Sequence, residues 1–143
     1  MPKPYLLHAA FVHFPIALLL TGLAGGLVDS ATKRWSWLAV AVSWLLWLGT
    51  ASAWGALGLG LLAEKTAPHV PPAWETLAAH KALAYWTVGV FTAIALWRLL
   101  FKDRWPRLFV AAWLAASGVL LATAYQGGEL VFTHNMGTAA SEP

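Results

Sequence analysis

Five histidines carry most of the chemistry this chain can offer, and three of them, His13, His80 and His134, fall near the same end of its apolar segments. An imidazole in or beside a bilayer is costly without a partner, so this gathering points to a ligand or to proton chemistry. Neutral imidazole ligates haem iron and transition metals. Glu129 sits in Gly127-Gly128-Glu129-Leu130, just before His134. A carboxylate there would orient an imidazole, pair with a metal or accept a quinol proton. His69 lies among prolines and reads as a solvated loop residue, while His8 stays open between interfacial residue and ligand.

Cysteine is absent, which excludes disulfides, thiolate metal sites, iron–sulfur clusters and thioether-attached haem. Any cofactor must use nitrogen or oxygen ligands. The chain is 59% apolar and only 10% charged, far from a soluble balance, so it reads as one integral membrane domain. Its net charge of +3 does not indicate nucleic acid, because the basic residues flank apolar segments rather than forming a patch with exposed aromatics. The first apolar stretch lacks a basic leader and reads as a retained span rather than a cleaved signal.

Four apolar segments must position the histidines: about Leu6 to Val28, Trp35 to Leu62, Leu77 to Phe101 and Leu108 to Phe132. Each reaches the roughly 20 residues that a helix needs to cross the hydrocarbon layer. The first and third connections, Asp29 to Arg34 and Lys102 to Arg107, are short and basic; the second, Ala63 to Thr76, is proline-rich. Short turns make neighbours antiparallel, so the expected fold is all-α, an integral membrane up-down four-helix bundle. Lys33, Arg34, Arg98, Lys102, Arg104 and Arg107 flank one side against Lys3, Lys65 and Lys81 on the other. The basic turns are therefore expected in the cytoplasm, with both termini and the histidines outside.

Pro15 removes a backbone donor, so a helix either begins near it or kinks there, and both cases hold His13 in a defined place. In an unbroken helix His8 and His13 would lie about 140° apart and roughly 7.5 Å along the axis, too far to share one small ion. Measured from the basic ends, His13, His80 and His134 stand at about 22, 31 and 40 Å. Helix tilt, or a bend at Gly127-Gly128 that turns His134 back over the bundle, would reconcile those heights. Ala10, Ala17 and Ala84 lie one turn from His13 or His80 and would leave room for a porphyrin edge.

Trp35, Trp37, Trp74 and Trp105 flank the turns as interfacial anchors, whereas Trp44, Trp47, Trp54, Trp86, Trp97 and Trp113 read as lipid-facing or interhelical. Small residues on the first two spans, among them Gly22, Gly25, Gly26, Gly49, Gly55, Gly58 and Gly60, favour close helix approach and also leave space for a flat ligand.

The segments HAAFVHFPIALLL, His80 at the start of the third span, and GGELVFTHNMG resemble domain-of-unknown-function family 2231, bacterial four-span membrane proteins, over nearly the whole chain. The family pattern carries onto His8, His13, His80, Gly127, Gly128, Glu129 and His134. Ala9, Phe132-Thr133 and Asn135-Met136 depart from it without removing a histidine. The resemblance implies a bacterial inner membrane, and family members joined to cytochrome c domains imply electron transfer.

Three functions compete. The first is electron transfer through non-covalent haem b, with His13 and His80 as the first ligand pair and His134 able to replace either. His8 and the other candidates leave room for a second haem. The partners would be a quinone pool, cytochrome c or a redox-enzyme subunit. The second is a Zn, Cu or Fe site built from His13, His80, His134 and Glu129. The third is a cofactor-free anchor or assembly subunit, and a homo-oligomer fits any of the three.

Overall fold

A computed structural model describes residues 3–68, 70–102 and 104–137, so His69 lies outside the described residues. Every long element in it is an α-helix, as uniformly apolar segments require where only intrasegment hydrogen bonds can satisfy the backbone. The helices are α1 (Pro4–Phe11), α2 (His13–Thr32), α3 (Ser36–Thr66), α4 (Trp74–Phe101) and α5 (Pro106–Phe132). Joining α1 to α2 gives four helical segments long and apolar enough to cross a membrane. The bundle is all-α: α2 packs on α3 and α5, α4 packs on the same two, and α1 lies against α3.

The break between α1 and α2 falls at Val12, three residues before Pro15. Proline has no N–H to offer the carbonyl of Phe11 and its ring crowds that position, so the helix divides there. The proline-rich connection is shorter than the sequence suggests. Helix α3 runs on to Thr66 and stops where Ala67, the residue before Pro68, turns extended. A single 3-10 turn at Pro71–Ala73 then leads straight into α4.

At the basic end Lys33, Lys102 and Trp105 adopt positive φ angles where the chain reverses, Lys33 and Trp105 in the left-handed helical conformation, and Pro106 opens α5 where a missing N–H costs nothing. Arg98 is held here by a hydrogen bond from Nε to Ser43 Oγ at 2.9 Å, with its guanidinium 5.6 Å from the Phe109 ring centre. The core gathers Leu19, Leu23, Leu46, Phe91, Phe109, Leu120 and the fully buried Trp113. Gly22 and Gly49 serve close packing: a Cβ at Gly22 would stand 2.7 Å from the Trp113 ring, and one at Gly49 2.7 Å from Leu19. Trp37, Trp54, Trp74 and Trp86 are exposed on the bundle surface, where lipid covers them.

Candidate functional site

The packing of α1 on α3 decides which histidine turns inward. His8, on α1, lies against α3, where a Cβ on Gly60 would stand 3.0 Å from its Cε1. Its Nδ1 donates to the carbonyl of Ala56 at 3.0 Å, one turn before that glycine. His80, on α4, repeats the arrangement on α5. A Cβ on Gly127 would stand 3.2 Å from its Cε1, and its Nδ1 donates to the carbonyl of Thr123 at 3.0 Å, again one turn before the glycine. Each half of the bundle thus seats one imidazole on a bare stretch of the neighbouring helix.

The two seats face each other. The His8 and His80 ring centroids are 6.4 Å apart, with planes inclined at 75°. A carbonyl can only accept, so in each ring the proton sits on Nδ1 and, in the neutral form, Nε2 keeps its lone pair. That is the tautomer of a metal-ligating histidine whose second nitrogen is held by the protein. Thr123 is itself braced: its hydroxyl donates to Val119 O at 2.8 Å and accepts from Thr87 Oγ1 at 2.7 Å.

His13 behaves otherwise. It is exposed at the start of α2, and its Nδ1 donates to Ala10 O, at 3.1 Å within the same stretch of chain. His134 lies just past the end of α5, which continues through Gly127-Gly128 to Phe132, and the chain reverses there. The reversal comes from a widened last turn in which His134 N donates to Glu129 O and Met136 N to Leu130 O, with Asn135 left-handed. His134 Nε2 then meets Thr76 Oγ1 at 3.2 Å. Thr76 is one turn before His80 on α4, so His134 forms a layer beyond the facing pair. Glu129 is half-buried, and among the described residues its carboxylate has no hydrogen-bond or ion-pair partner.

The structure therefore brings His8, not His13, to His80. Among the described residues no three His, Cys, Asp or Glu side chains converge as a metal set, so His13, His80 and His134 do not form the trio that their common end suggested. The family described as Predicted membrane protein (DUF2231) matches residues 4–140, from the first residue of α1 to beyond His134. The chain belongs to that family. No curated protein and no solved structure matches.

Within this DUF2231 chain, Ala56, Gly60, Thr123 and Gly127 shape the site as seats for imidazoles; the sequence marked Gly60 as a small residue and Gly127 as a bend point, and did not mark Thr123. Their signal was a small or hydroxyl residue four before a glycine on each of the two helices that receive a histidine. The pair Glu64 and Lys81 was also missed; Lys81 Nζ reaches the two carboxylate oxygens at 2.7 and 3.0 Å and ties α3 to α4.

Proposed function

We propose that the chain is a membrane electron-transfer protein whose His8 and His80 hold non-covalent haem b. The single observation that carries this reading is the spacing of the two rings, 6.4 Å between centroids. Two imidazoles at that separation, each with Nδ1 committed to a backbone carbonyl and Nε2 left with its lone pair, would hold one haem iron between them.

The donor set fits as well: two neutral imidazoles, each oriented by a backbone carbonyl, with Gly60 and Gly127 keeping side chains away from the helix surfaces beside them. Bound there, haem would supply one-electron transfer. The protein's own part is to fix both rings and to exclude competing ligands. A visible spectrum of the purified protein tests the reading. A Soret band with a low-spin ferrous alpha band is the expected result; metal-replete protein without either sinks it.

We further propose that the histidine end faces outward across a bacterial inner membrane, supported by the excess of Lys and Arg at the opposite end. Quinone, cytochrome c or a redox-enzyme subunit would then meet the site from the outer side. Cysteine introduced at Thr66 is expected to react with an impermeant maleimide in intact cells, and cysteine at Ser30 only after lysis. The reverse pattern would turn the site toward the cytoplasm.

A further inference from the structure

We infer that a cleft beside the facing histidines binds the headgroup of a quinol, an inference that rests on the electron-transfer reading for its choice among neutral headgroups. The cleft, of about 400 Å³, lies between α3 and α4 and is walled by Ala78, Leu77, Trp74 and Met136, with Glu64 and Lys81 as its polar groups. That volume falls within the range of small-molecule sites, roughly 300–1,000 Å³. Glu64 is one turn beyond Gly60, on which His8 lies, and Lys81 directly follows His80. The cleft therefore opens about one helical turn from the two imidazoles.

Its charge selects the occupant. Glu64 and Lys81 neutralise each other at 2.7 Å. A headgroup with a lone phosphate would be repelled by the carboxylate, and one with a lone ammonium by the lysine, so the pair disfavours headgroups of net charge. A neutral ring bearing oxygens fits both groups. The carboxylate oxygens retain lone pairs beyond those used on Lys81 and accept a hydrogen bond from a quinol hydroxyl, while the ammonium donates to the ring's other oxygens. Trp74 offers an aromatic surface to such a ring, and Leu77, Ala78 and Met136 offer apolar surface to its substituents. Cross-bundle stability alone explains the ion pair poorly, because the two side chains are 40% and 35% exposed and pairs of that exposure contribute little.

The test reads binding rather than electron flow. Decylubiquinol retained by the full chain in lipid nanodiscs is measured against empty nanodiscs. Ala78→Trp, which fills the cleft from an exposed position, is expected to weaken retention about tenfold or more. In the wild-type protein the O,O-dimethyl ether of the same quinol is expected to bind about tenfold more weakly, and Glu64→Leu should reduce that preference to about threefold or less. Binding indifferent to Ala78→Trp, or equal binding of quinol and ether, overturns the cleft assignment even in protein with a Soret band. Cleft-dependent binding in protein that never takes up haem upholds this site and removes the haem.

Discussion

His80→Ala and His8→Ala are each expected to lower cofactor affinity by about 100-fold or more, while His13→Ala changes it by less than about threefold. The two inward imidazoles face each other at 6.4 Å with their Nδ1 atoms committed to Ala56 and Thr123. His13 is exposed and satisfied by its own chain. Haem content per protein, taken from the Soret absorbance after purification without added haem, gives the comparison. Free imidazole supplied to either alanine variant should restore the low-spin spectrum, because truncation leaves a hole of the right shape beside Gly60 or Gly127. A merely structural role would not respond to imidazole. If His13→Ala and His80→Ala instead empty the protein equally while His8→Ala stays full, the pair expected from sequence alone replaces the one argued from geometry.

That exchange of His13 for His8 shows where the sequence stopped being legible. The all-α class, the four helices long and apolar enough to cross a membrane and the proline break were readable, because hydrophobic length and missing backbone donors are local properties. Helix faces were not. A membrane helix is apolar all round, so no 3.6-residue stripe marks its inner side. Val12 keeps a right-handed helical conformation with its N–H on His8 O, so His8 and His13 sit on different sides of one helical path, as their separation of about 140° implies. The height mismatch of His134 remains in the fold: α5 continues past the two glycines to Phe132, and His134 meets Thr76, one turn beyond His80. Glycine was equally ambiguous in sequence. Gly22 and Gly49 admit neighbouring side chains, Gly60 and Gly127 admit imidazoles, and Gly58, Gly89 and Gly118 meet nothing within 4 Å. Composition cannot separate these uses, since each depends on what a different helix brings to the same height.

The bundle's packing gives the second large effect. Gly22→Ala is expected to destabilise the protein by about 1–3 kcal/mol, although alanine is the better helix former by about 1 kcal/mol. The new methyl would stand 2.7 Å from Cζ2 and Cη2 of Trp113 and 3.2 Å from Leu45 Cβ. Trp113 cannot withdraw, because it is fully buried and its ring is set edge-on to Phe109 at 5.8 Å. Helix α2 must therefore move away from α5, opening contacts along the seam. Gly118→Ala supplies the control: its methyl meets no described atom within 4 Å, so only the helix preference remains and stability should hold or rise. Thermal unfolding in one detergent is expected to show Gly22→Ala lower by several degrees, at about 3–4 °C per kcal/mol for a chain of this size. Trp113→Phe removes the ring atoms that the methyl strikes. The double variant should thus be less destabilised than the sum of its parts, by about 1 kcal/mol. Strict additivity would mean that Gly22 and Trp113 do not press on each other, and the close approach of α2 to α5 at that height would have to be abandoned.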